Sequence, residues 1–125
     1  MNSPESREVL QSVIQILRET AERFHELDSE AEILLAKKDA TGHTKKLRER
    51  AKLIVGLTDC LAGALKGVDR EMKQRILLKV YYFATSAQEA LESGGFSLGV
   101  LLTHQDSKIG EKNHLEKLIK SLESK

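Results

Sequence analysis

Glu22 and His25, in the stretch ERFH, and Glu111 and His114, in EKNH, each set a carboxylate and an imidazole three residues apart. On a helix that spacing brings both groups to one metal. Two such pairs, completed by a carboxylate from each of two further helices, build a di-iron centre inside a four-helix bundle. The candidates here are Glu71 and Glu89 on the third helix and Asp59 and Glu49 on the second.

A second pattern shares His25. Arg18 and His25 are separated by six residues, which fits the Arg-x4–6-His spacing of small helical ribonucleases of the HEPN type. There the histidine would act as general base and the arginine would stabilise phosphate charge. The match is to spacing alone, which an arginine-rich helix meets readily by chance.

The elements that must position these groups decide both questions. Leu10, Val13, Leu17, Thr20, Phe24, Leu27, Ala31 and Leu34 recur at alternating steps of three and four, a heptad stripe held for more than three repeats. Ser3, Pro4 and Glu5 suit the start of that helix: a cap, a proline in the first turn, and an acid at the positive end of the dipole. The stripe predicts a first helix over about 4–38, ~50 Å long. Its seam runs through Phe24, so Glu22 and His25 fall outward into water. His114 flanks the last helix's seam, and Glu71, Glu89, Glu49 and Asp59 lie off the apolar faces. The preferred reading is solvated Glu–His pairs, with no metal, no cofactor and no catalytic residue assigned.

Gly42, in a left-handed conformation, is the expected end of that helix, with Thr44 capping the next. The second helix carries Leu47, Ala51, Ile54, Thr58, Leu61, Leu65 and Val68, with a further stripe at Leu53, Leu57, Cys60 and Ala64. Two stripes imply two neighbours. Gly56 and Gly63 are read as sites of close backbone approach and Gly67 as the end of the helix. Asp69 caps a third helix whose inner face is Met72, Ile76, Val80, Phe83, Ala87 and Leu91, widened by Leu77, Tyr81 and Ala84. Ser93-Gly94-Gly95 stops it. Phe96 to Thr103 is read as a short helix, His104 to Gly110 as a loop, and about 111–124 as a last helix facing inward through Leu115, Leu118, Ile119 and Leu122.

The fold expected is therefore all-α. It is one antiparallel bundle over residues 1–125, with three long helices and one or two short C-terminal ones. The chain can bury a core without disulfide or metal. Cys60, its only cysteine, lies in an apolar stripe and is read as a buried thiol. The longest apolar run, Cys60 to Leu65, is six residues, far short of a membrane span. The N-terminus lacks a signal-peptide pattern, which makes the cytoplasm the expected location.

Net charge is +1 but unevenly spread. Residues 1–34 hold eight acids and three bases, and residues 37–52 hold seven bases and two acids. Lys45, Lys46, Arg48, Arg50 and Lys52 form a basic segment that could meet phosphates. Arg75, Lys79 and Tyr82 make a second candidate contact patch on the third helix. The bland reading, a solvated basic turn balancing the acidic first helix, is preferred. The functional expectation is an interaction protein, a subunit, adaptor or chaperone-like partner. Its first-helix heptad seam would pair with a protein partner or a second copy. The alternatives are a nucleic-acid-associated bundle using residues 37–52, then a ribonuclease or di-iron protein centred on His25.

Overall fold

The structure, a computed structural model, describes residues 4–94, 98, 101 and 113–124. It is all-α. Helix α1 spans Pro4–Ala36, α2 Ala40–Val55, α3 Leu57–Ala62, α4 Arg70–Ser93 and α5 His114–Glu123, with a 3-10 turn at Ala64–Gly67 between α3 and α4. Among the described residues no helix is long and apolar enough to cross a membrane.

Helix α1 begins at Pro4, where a fixed φ and a missing N–H cost nothing. Val13, Leu17, Phe24, Leu27 and Ala31 of its heptad stripe are buried, joined by Ile14 and Ala21. Thr20 is only half-buried; its hydroxyl donates to the Ile16 carbonyl at 2.9 Å. Helix α2 packs along α1, α4 packs on α2, and α5 and the 3-10 turn cover other parts of α1. The seam expected to seek a partner is thus taken up inside the chain. One cluster joins Val13, Ile14, Leu17, Ala21, Phe24 and Ala31 to Leu47, Ala51, Ile54, Leu57, Leu61 and Leu65, to Ile76, Val80, Phe83 and Ala87 of α4, and to Leu98 and Leu101.

The α1–α2 turn forms four residues earlier than the glycine suggests. The left-handed residue is Lys38, at φ 64°. Asp39 then caps α2 by accepting from the Gly42 amide at 2.9 Å. Gly42 and Thr44 lie inside the helix, and a side chain at 42 would collide with the Asp39 carboxylate.

The single helix expected over residues 44–67 is broken at Gly56 and Gly63. Each glycine weakens a helix by about 1 kcal/mol, and three lie within twelve residues. Beyond Gly56 the buried residues are Leu57 of the second stripe and Leu61 and Leu65 of the first, while Thr58 is only half-buried. Cys60 turns outward and is exposed, correcting its reading as a buried thiol. A Cβ on Gly63 would meet nothing within 4 Å, and one on Gly56 only carbonyls of its own helix. The close approach is at Gly67, where a Cβ would lie 2.8 Å from Val9 Cγ2.

Asp69 stands at the start of α4, but its side chain makes no cap bond. Gly94, at φ 67° and ψ −165°, ends the helix in a conformation that in effect only glycine adopts. Helix α5 starts with a capping box. Asn113 Oδ1 accepts from the Glu116 amide at 2.9 Å, and Glu116 Oε1 accepts from the Asn113 amide at 3.1 Å. Asn113 is itself buried. Asn113→Ala should cost about 1–2 kcal/mol in chemical denaturation and loosen α5 first, read as faster amide exchange at Glu116 than in α1. Leu115, Leu118, Ile119 and Leu122 of α5 face inward. The expected loop at 104–110 and most of the expected helix at 96–103 lie outside the described residues.

Candidate interaction surface

His25 stands outward on α1, as the heptad phase requires. Its Nε2 lies 3.2 Å from Glu116 Oε2 of α5, and Arg18 pairs with Glu123 of the same helix. Both line a shallow α1–α5 groove with Glu22 and Lys120. The structure does bring the Arg–His pair together, but each is already matched to a carboxylate. Three carboxylates, Glu22, Glu116 and Glu123, would repel an incoming phosphate.

Among the described residues the di-iron ligands are not brought together. His114 lies on α5 with its ring stacked on Phe83, centroids 6.4 Å apart and planes 22° apart. Glu71, Glu89 and Asp59 are exposed, and Glu49 lies 3.6 Å from Lys46. Glu111 is outside the described residues. Among the described residues no group of three or more His, Cys, Asp or Glu could hold a metal ion.

The basic segment divides. Lys45 and Lys52 are exposed on α2. Lys46 sits between Glu30, at 3.2 Å, and Glu49. Arg48 Nη1 donates to the Leu91 carbonyl at the end of α4, at 3.3 Å. Arg50 is only 3% exposed and cannot serve as the surface contact its charge suggested. Its Nη1 donates to Asp28 Oδ1 at 2.6 Å, its Nη2 donates to the Leu98 carbonyl, and its guanidinium lies 4.6 Å from the Phe24 ring centroid. Burial lowers the guanidinium pKa, and the Asp28 charge and hydrogen bond pull it back up. Arginine has so high an intrinsic pKa that the group stays charged. The basic stretch is therefore in part an internal brace between α1, α2 and the segment after α4.

The second candidate patch gains neighbours. On α4, Arg75 is exposed and bonds Glu71 one turn back at 3.1 Å. Lys79 and Tyr82 are exposed as the spacing predicted, but Tyr81, expected to widen the core face, is 66% exposed. Tyr82 is 64% exposed and Leu78 is 72% exposed. These residues border an open α4–α5 groove of about 610 Å³, floored by Phe83 and Leu118 and rimmed by Lys79 and Lys117. Sequence reasoning assigned Leu78 to no face, weighed His114 only as a metal ligand, and left Lys117 and Leu118 of α5 out of any site. The available signal was Leu78 itself, a large apolar residue that fits no inward stripe.

No family model matches the chain, and no curated protein or solved structure shows significant similarity to it.

Proposed function

We propose that this chain is a small helical-bundle interaction protein whose docking surface is the outward side of α4 with the α4–α5 groove, in place of the α1 seam. The supporting observation is the run of Leu78, Tyr81 and Tyr82, each about two-thirds exposed on one helix, beside an apolar groove. Adjacent exposed apolar side chains around a concave site mark interaction surfaces in monomeric proteins. Tyrosine suits such a site, since its ring gives large contact area while its hydroxyl stays wet. Ile33 and Leu35 are the other large apolar side chains exposed among the described residues. They sit at the end of α1.

The test is a double substitution, Leu78→Asp with Tyr82→Asp. Both side chains stand outside the core, so the helical circular dichroism and melting temperature should stay close to those of the parent. Binding of the anionic apolar dye 1-anilinonaphthalene-8-sulfonate, measured at low protein concentration, should be lost with the apolar surface. Equal dye binding by parent and variant would remove α4 as the docking face.

A further inference from the structure

Resting on that reading, we infer that the occupant of the α4 face is a second copy of this chain, its α4 antiparallel to the first about a two-fold axis at Tyr82. Three observations on α4 lead there. Glu71, Arg75, Leu78, Tyr82, Thr85 and Glu89 step by four and three along the helix, and every one is exposed. This is a second heptad stripe, back to back with the buried one, and its apolar members occupy the middle. An unpartnered stripe of that period matches the seam of a two-helix contact.

Charge then selects the occupant and its direction. Residues 70–80 carry Arg70, Lys73, Arg75 and Lys79 against the single acid Glu71. Residues 81–93 carry Glu89 and Glu92 and no Lys or Arg. One half of the helix is basic and the other acidic, so the face complements itself when reversed. Arg75 lies seven residues before Tyr82 and Glu89 seven after it. An antiparallel copy sets Arg75 of each chain against Glu89 of the other, twice by symmetry. A parallel copy would set Arg75 on Arg75 and Glu89 on Glu89. The intrachain Arg75–Glu71 pair is exposed on both sides and holds Arg75 only weakly. The antiparallel arrangement also cancels the two helix dipoles. At the centre, Leu78 of each chain lies beside Tyr82 and Thr85 of the other.

Light scattering and sedimentation equilibrium on the full chain test this directly. The expected result is a reversible dimer of the 14.0 kDa chain, weak, with Kd on the order of 10 µM, as suits a contact of fewer than ~1,200 Å². Arg75→Glu alone places acid on acid at both ends of the contact. Glu89→Arg alone places base on base. Each should weaken self-association about 100-fold. Mixing the two single variants should restore a heterodimer of parental affinity, because both cross-pairs are then opposite in charge. The double variant Leu78→Asp, Tyr82→Asp should be monomeric.

A parent that stays monomeric at several hundred micromolar overturns the inference. So does a dimer indifferent to both charge reversals, or a mixture that fails to associate. The dye experiment separates this failure from that of the α4 reading. A monomeric parent that loses dye binding on the double substitution rejects the second copy and leaves α4 open to a different protein. A monomeric parent whose dye binding is unchanged rejects both.

Discussion

Asp28→Ala is expected to cost about 3 kcal/mol of folding stability, and adding Arg50→Met to the same chain should restore most of it. The guanidinium of Arg50 is shut away from water, and Asp28 is its carboxylate partner at 2.6 Å. Alanine at 28 leaves that cation buried without the carboxylate that faces it, beside the Leu98 carbonyl and the Phe24 ring. Breaking a buried pair from one side commonly costs 3–5 kcal/mol. The lower end is expected here because the Asp28 side chain is 41% exposed, which lets water reach the vacated place. Methionine at 50 removes the buried charge and keeps much of the volume against Phe24. Urea denaturation of the two single variants and the double variant measures the coupling. A loss below about 0.5 kcal/mol for Asp28→Ala would put the pair among ordinary surface ion pairs and end its reading as a brace.

Leu61→Ala should remove about 3–5 kcal/mol, and the loss should be felt first between residues 57 and 68. Helix α3 has six residues, lies between Gly56 and Gly63, and makes no side-chain cap bond. A helix that short has no stability of its own. It is held by Leu57, Leu61 and Leu65, all in effect fully buried. Truncating the middle one leaves a cavity and loosens the anchor of the 3-10 turn, whose Gly67 touches Val9 of α1. Amide exchange should therefore quicken at Cys60 and Val68, which donate to the Gly56 and Leu65 carbonyls, before it quickens in α2. Cys60→Ala on the same helix should shift stability by less than about 0.5 kcal/mol. Uniform quickening across α1, α2 and α4 would show that α3 opens only with the whole molecule.

The spacing of Val13, Leu17, Phe24, Leu27 and Ala31 carried most of the fold, since burial imposes a period that residue types reveal. A period states that a face is covered and leaves open by what. The α1 seam pointed to an outside partner and is met by α2 and α5 of its own chain. The α1–α2 turn was misplaced because Gly42 looked like a left-handed terminator. The deciding contact was the Asp39 carboxylate on the Gly42 amide, which lets Lys38 take the left-handed position. Arg50 could not be placed from its type. Its partner is twenty-two residues away on another helix, and a basic neighbourhood reads as surface. Tyr81 and Cys60 failed for one reason. Each sits at the border of a stripe, where a rotation of one residue moves a side chain from core to water. Of the proposed interaction surface, Lys79 and Tyr82 were legible from the α4 pattern alone. The α5 wall was not, because α4 and α5 are brought together only by the tertiary fold.

The outward turn of Cys60 makes the molecule its own spectroscopic ruler. It is the chain's single thiol, and it is exposed on α3 with the core untouched. A nitroxide attached there gives one spin per chain. Any dipolar broadening must then arise between chains, and a two-fold assembly yields one sharp interspin distance where an irregular aggregate yields a spread.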